Sequence, residues 1–340
     1  MAMIPGANAR SLLCICLGAM FCAELALADY STQPDATRLI DEMIREHGFN
    51  AAELNAILAK ATRQDKILEA ISRPAEKTMP WYTYRQIFLG AQRIDEGVTF
   101  WQQNAAALEQ AHTKLGVAPE YVVAIIGVET RFGKHRGAYR VLDALTTLAF
   151  DYPPRAQFFR SELKQFLLLA REEKKPPETM MGSYAGAMGY GQFISSSYRR
   201  YAVDFDGDGL RDIWDNTTDA IGSVANYFVE HRWTGKDPVL IDLGEASGVL
   251  QAQAATELGS TSTLGDLRKA GVTIETTLPD TTAVAIHGFQ FEDGQRIAIG
   301  FNDFYAITRY NHSIMYARAV HELAQAIKAA YLSSNPVGKS

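Results

Sequence analysis

The chain has 340 residues, with 33 basic against 39 acidic side chains and a formal net charge of −6. That length suits two or three domains around sizeable buried cores. The acidic balance argues against the basic surface that a nucleic-acid partner requires.

At the N-terminus, Arg10 precedes the apolar run Ser11-Leu-Leu-Cys-Ile-Cys-Leu-Gly-Ala-Met-Phe-Cys-Ala23, too short to span a bilayer comfortably. Ala26-Leu27-Ala28 then supplies the small-x-small pattern of a signal-peptidase site. Residues 1–28 therefore read as a cleaved signal peptide and the protein as exported, with a retained anchor as the alternative. Cys14, Cys16 and Cys22 follow Leu13, Ile15 and Phe21, which argues against lipid attachment. All three cysteines lie in this segment. The mature chain would then hold no disulfide, thiol nucleophile or cysteine-bound metal. Its charge is unchanged, since Arg10 and Glu24 leave together.

Helical patterning follows over Thr37–His47, Ala51–Ala61, Gln64–Ser72 and one long stretch, Gln86–Ala111, interrupted by the aromatic loop Thr78–Tyr84. Pro119 then opens the helix Tyr121-Val-Val-Ala-Ile-Ile-Gly-Val-Glu-Thr-Arg-Phe-Gly133, which Gly133 should close. Apolar side chains cover every face, so burial is expected. Glu129 sits in its last turn. Desolvation and the negative helix end both favour its protonated form, as a general acid requires. The competing reading is a structural ion pair with Arg131, Lys134, His135 or Arg136.

Met181-Gly-Ser-Tyr-Ala-Gly-Ala-Met-Gly-Tyr-Gly-Gln-Phe193 is a glycine-rich loop whose amide and aromatic groups suit a saccharide, or simply an interhelical turn. Between helices at Gln192–Ala202 and Asn216–His231 lies Asp204-Phe-Asp-Gly-Asp-Gly-Leu-Arg-Asp-Ile-Trp-Asp215. Asp204, Asp206, Asp208, Asp212 and Asp215 occupy positions one, three, five, nine and twelve of an EF-hand loop, and Leu210 offers its carbonyl. With Asp in place of Glu at position twelve, Ca²⁺ affinity should be weak, roughly 10⁻⁴ to 10⁻³ M, and the ion a structural clip. Short branched runs at Val239–Leu243, Val272–Ile274, Ala283–His287 and Arg296–Gly300 read as strands. Helix returns from His312 to about Tyr331. The fold class is α+β, mainly α.

Taken together, Gly127–Gly133, Ser183–Phe193, the calcium loop, Asp151-Tyr-Pro153, Ala220–Phe228 and Arg309-Tyr-Asn-His312 resemble the lytic murein transglycosylases of the B type across essentially the whole mature chain. The resemblance implies a lysozyme-like helical core at 113–235 plus 296–311 that holds the calcium loop 204–215. It also implies a helical domain at 29–112 plus 312–335 and a small inserted β-containing subdomain at 236–295. It further implies cleavage of the β-1,4 bond between N-acetylmuramic acid and N-acetylglucosamine in the periplasm, with a 1,6-anhydro product. Glu129 would be the single acid and base, and Ser183 would orient it or the acetamido group. Tyr84, Arg155, Gln192, Tyr227, Tyr310, Asn311 and Tyr316 match groove positions. Phe158 stands where the family carries Tyr, and Pro154 where it carries a second Arg. By helical spacing alone, Phe158, Phe159 and Phe166 read as core. The partners implied are peptidoglycan glycan strands, with cell-wall synthesis proteins as possible ones, and the chain is expected to be a monomer with no cofactor for catalysis.

One carboxylate suffices for such chemistry if the substrate's acetamido oxygen stands in for the second one of an ordinary glycosidase. Asp151, the nearest other candidate, reads as a helix-start or structural residue. No Gly-x-Ser-x-Gly elbow or phosphate-binding Gly-x-x-x-x-Gly-Lys is present. His321-Glu322 lacks a second zinc-ligand histidine, so His321 reads as surface or packing. A muramidase on the same scaffold and a non-catalytic peptidoglycan-binding protein remain the alternatives.

Overall fold

The computed structural model describes residues 30–72, 79–236, 238–245 and 262–334, with Leu250 and Leu258. The expected signal peptide lies outside them. The fold is mainly α, in the α+β class.

Helices α1 (Pro34–His47), α2 (Ala51–Ala59) and α3 (Asp65–Ser72) are short, and the first two are locally capped. Gly48 closes α1 at φ 64°, and the Asn50 side chain accepts the amide protons of Ala52 and Glu53. Leu39, Met43, Leu54, Leu58 and Ile67 share one core with α8 (Val141–Asp151), α9 (Ala156–Glu172) and α10 (Ser195–Tyr201). Asp151 ends α8 rather than starting a helix. It accepts a 2.5 Å bond from Tyr30 and pairs with Arg63 at 3.2 Å, a structural lock on the N-terminal segment.

A second core is built on α7 (Pro119–Thr130), in which Tyr121 to Gly127 are all buried. Around it pack α5 (Ala91–Gln103), α6 (Ala105–Leu115), α11 (Thr217–Glu230) and the C-terminal α14 (Ile314–Ser334). The expected long helix Gln86–Ala111 is two helices. Asn104 breaks it at φ −117°, ψ 21° and donates its side-chain amide to the Phe100 carbonyl, a local competition that helix interiors disfavour. The expected aromatic loop is a short helix, α4 (Trp81–Tyr84), for the part that is described. The packing thus groups 30–67 with 141–202, and α14 with α5–α7.

The described sheet of the β region is antiparallel, in the order β3 (Leu240–Glu245), β6 (Gly294–Gly300), β5 (Ala283–Phe291), β4 (Ser262–Thr263). A two-strand pair, β1 (Tyr139–Arg140) with β2 (Met181–Gly182), leads into the glycine-rich loop. Ile286, Ile297 and Ile299 face α12 (Leu264–Lys269), while Phe289 and Ala298 face the α7 core. The expected strand at Val272–Ile274 is irregular. Its neighbours Thr276 and Leu278 give their carbonyls to the Arg268 guanidinium instead of to a ladder. Before α14 comes a helix not expected from the sequence, α13 (Asn302–Tyr310). Arg318 of α14 lies 4.5 Å over the Phe289 ring and pairs with Asp242 of β3 at 2.9 Å, which pins the sheet to the helix beside Glu129.

Candidate active site

Glu129 occupies the last turn of α7, half-buried. The helix ends at Thr130, three residues before the expected Gly133. Arg131, Phe132 and Gly133 then all adopt left-handed backbone, at φ 50°, 59° and 87°. The amides of Arg131 and Phe132 return to Gly127 and Ile126, satisfying the last carbonyls. Two non-glycine residues in this region are costly and need external restraint. Arg131 receives it from a two-pronged bond to Glu96, at 2.7 and 2.9 Å, and Lys134 joins at 2.9 Å. These cations hold the Glu96 carboxyl down at about 2. Phe132 lies against Phe100 and covers Gly127 and Gly97. Gly133 is needed, because a Cβ there would lie 2.2 Å from the Tyr190 ring. Arg131 and Lys134, two of the cations considered for an ion pair with Glu129, pair with Glu96; Arg136 pairs with Asp215.

Tyr316 donates its hydroxyl to Glu129 Oε1 at 2.5 Å. Burial first, and the Glu129 charge second, push the Tyr316 hydroxyl well above the ordinary tyrosine range, so it stays a donor. The same causes raise Tyr310, which donates to the Gly191 carbonyl at 2.6 Å. Tyr227 donates to the Arg309 carbonyl at 2.5 Å and packs 4.6 Å from Tyr310. Three of the sequence-predicted groove tyrosines, Tyr227 and Tyr316 buried and Tyr310 half-buried, therefore form a bed that ties α11, α13 and α14 to the glycine-rich loop. Tyr84, 1 % exposed, is packed on Trp81 and Phe88.

The glycine-rich loop is a turn rather than the start of a helix. Met188 and Phe193 exchange backbone bonds, Gln192 sits at φ 50°, and α10 begins only at Ser195. Gln192 donates to the Gly189 and Arg136 carbonyls, at 3.0 and 3.3 Å. Ser183 Oγ accepts the amides of Ala187 and Ala185, at 3.0 and 3.3 Å. Asn311 is exposed in the turn between α13 and α14. Arg155 stacks 4.3 Å over Phe158, which is 37 % exposed and so is not core, unlike Phe159 and Phe166. A cavity of about 600 Å³ opens at the start of α14, lined by Pro80, Trp81, Phe289, His312, Ile314 and Met315.

In the acidic loop, carboxylate oxygens of Asp204, Asp206, Asp208 and Asp219 lie within 4.8 Å of one another. This all-oxygen set, one member buried, fits a hard cation such as Ca²⁺. Asp219 was not foreseen. It lies in the first turn of α11, where Asn216 caps its amide, and burial raises its pKa. Asn216 followed three residues later by an acid is a helix-start pattern that could have revealed it. Asp212 and Asp215 lie outside this cluster. Asp212 accepts the amides of Trp214 and Asp215, and the exposed Asp215 turns out to Arg136. The Leu210 amide donates to Asp208 at 2.8 Å.

The transglycosylase SLT domain profile matches residues 31–325. The membrane-bound lytic murein transglycosylase B of Escherichia coli strain K12 is 42 % identical over 312 residues, covering 89 % of this chain and 85 % of the relative. Among solved structures, the catenated lytic transglycosylase SltB1 of Pseudomonas aeruginosa has a TM-score of 0.85 at 46 % identity, covering 89 % of this chain and all of that one. The Escherichia coli lytic transglycosylase Slt35 in complex with calcium has a TM-score of 0.81 at 42 % identity, covering 89 % and 96 %. With a profile match over most of its length and a relative this close, the chain belongs to the lytic murein transglycosylase B family.

Proposed function

We propose that this peptidoglycan-cleaving lytic transglycosylase breaks the β-1,4 bond between N-acetylmuramic acid and N-acetylglucosamine with Glu129 as its one acid and base. The observation that carries the assignment is the Tyr316–Glu129 bond at the end of a helix buried from Glu120 to Gly127. Tyr316 occupies Oε1, so the proton to be transferred sits on Oε2. Protonated Glu129 gives it to the glycosidic oxygen as that bond breaks. The substrate's acetamido oxygen supports the electron-poor anomeric carbon, in place of the second carboxylate of an ordinary glycosidase. Glu129 then takes the proton of the 6-hydroxyl, whose oxygen closes on the anomeric carbon. The carboxyl is restored and no water is consumed. The gain comes from making the attack intramolecular.

Ser183, Gln192 and Asn311 are the polar groups proposed to orient the sugar, while Tyr227, Tyr310 and Tyr316 shape the floor beneath it. Arg155 stacked on Phe158 offers an exposed cation and an aromatic face for outer sugars or stem peptide. The proposed calcium ligands are Asp204, Asp206, Asp208 and Asp219, with the ion a weak structural clip that closes the segment between α10 and α11. Among the described residues no helix is long and apolar enough to cross a membrane. Export to the periplasm through the leader 1–28 is the proposed location, and a monomer the proposed form.

The test is borohydride reduction of the soluble products. Anhydro ends resist reduction, whereas a muramidase would leave ends that take up two hydrogens.

A further inference from the structure

Between the proposed cation loop and Glu129 lies a short chain of contacts in which Arg136 takes part four times. Its guanidinium donates to the Trp214 carbonyl, and to Asp215 at 3.1 Å. The same group lies 5.2 Å over the Tyr190 ring, and its own carbonyl accepts the Gln192 side chain at 3.3 Å. Trp214 and Asp215 are the exit of the acidic loop. Their amides hang on Asp212, whose own amide donates to the cluster member Asp219 at 2.8 Å. One residue earlier, the Ile213 carbonyl accepts the Tyr190 amide at 3.0 Å. On the far side, the Tyr190 carbonyl accepts from Thr130, the residue after Glu129, at 3.0 Å. Gly137 abuts Gly182 and Ser183 so closely that a Cβ would lie 2.0 Å from the Gly182 carbonyl. A displacement at Arg136 therefore reaches Ser183 and Gln192 through backbone.

We propose that Arg136 is a positioning residue that couples occupancy of the acidic loop to the geometry of the catalytic loop. The proposal rests on the reading of that loop as a calcium site. A cation drawn in by Asp204, Asp206, Asp208 and Asp219 fixes the backbone at 212–215. Arg136 and Ile213 pass that constraint to Tyr190, Gln192 and the end of α7. The Asp215 pair is largely exposed and contributes little by itself. The Trp214 carbonyl bond and the Tyr190 stack carry the link. Without the cation the site loosens, and misplacement of reacting groups by fractions of an ångström is costly.

The experiment compares the full-length protein with Arg136→Met and Arg136→Lys, in calcium and in chelator, recording melting temperature beside kcat and KM on purified sacculi. The expected result for the parent is a calcium-dependent rise in melting temperature and in kcat, the latter about tenfold. Arg136→Met keeps the melting shift but loses the kcat response, and Arg136→Lys recovers part of it. A parental kcat response in a melting-competent Arg136→Met overturns the coupling. So does a parent whose melting responds to calcium while its kcat does not. If Arg136→Met does not melt cooperatively, Arg136→Lys decides alone, and an undiminished response there overturns the proposal. No melting shift in the parent removes the cation reading and the coupling with it, leaving the Glu129 chemistry to its own test.

Discussion

Replacing Tyr316 by Phe removes one oxygen from the heart of the site and little else. The ring is 3 % exposed and packs into the α7 core, so a phenyl group preserves the burial. What disappears is the 2.5 Å hydrogen bond to Glu129 Oε1. A bond to an ionised group contributes about 1.5–3 kcal/mol net. If it holds Glu129 in its reactive position, kcat should fall roughly 10- to 150-fold. The ionised carboxylate also loses a donor, so the limb of the pH–rate profile set by Glu129 ionisation should move to higher pH. Tyr316 itself stays protonated, because burial and the Glu129 charge raise it well above the usual range. Its removal therefore deletes a donor and not a titrating group. The assay is release of soluble muropeptides from purified sacculi at a series of pH values, beside a melting curve. A kcat within about twofold of the parent, with an unmoved limb, would refute the role given to Tyr316.

Asp219→Asn should abolish the calcium-dependent melting shift, whereas Asp215→Asn should retain it. For an affinity of roughly 10⁻⁴ to 10⁻³ M, 10 mM calcium adds about 1.4–2.7 kcal/mol. Glu96, held at about 2 by Arg131 and Lys134, stabilises the folded chain fully above its ordinary 4.5 and progressively less as pH falls toward 2. Glu96→Gln should flatten that stretch of the stability profile and lower kcat by loosening the left-handed turn after Glu129. Burial drives the His321 imidazole down to about 4, so the folded chain holds it neutral beside the Tyr121 hydroxyl at 2.9 Å. Its contribution is full above about 6.5 and is lost as pH falls through 4, a span of about 3 kcal/mol. His321→Gln should remove that portion of acid sensitivity, read as melting temperature against pH.

Much of this architecture was legible because the signals were local. The unbroken apolar surface of Tyr121–Gly127 announced a buried helix, and the Asp-x-Asp-x-Asp-Gly run announced an oxygen-lined loop. What escaped depended on partners distant in sequence. Nothing near Arg131 indicates that Glu96, 35 positions away, would hold it left-handed. Tyr84 was a groove position by the family resemblance alone, and nothing local signals that Trp81 and Phe88 pack around it in the core. In the acidic loop, EF-hand counting favoured Asp215 because spacing is all that counting sees. Arg136, 79 positions earlier, pairs with the exposed Asp215, and the buried member of the cluster is Asp219. The α13 helix was hidden because Asn302–Tyr310 starts one residue after a strand and is only nine residues long.

The measurement closest to the central claim is mass spectrometry of the soluble muropeptides released from purified sacculi by the parent protein and by Glu129→Gln. The account predicts products one water lighter than hydrolysis would give, released by the parent and absent with a folded Glu129→Gln. Hydrated, reducing-end products from the parent, or undiminished release by Glu129→Gln, would contradict it.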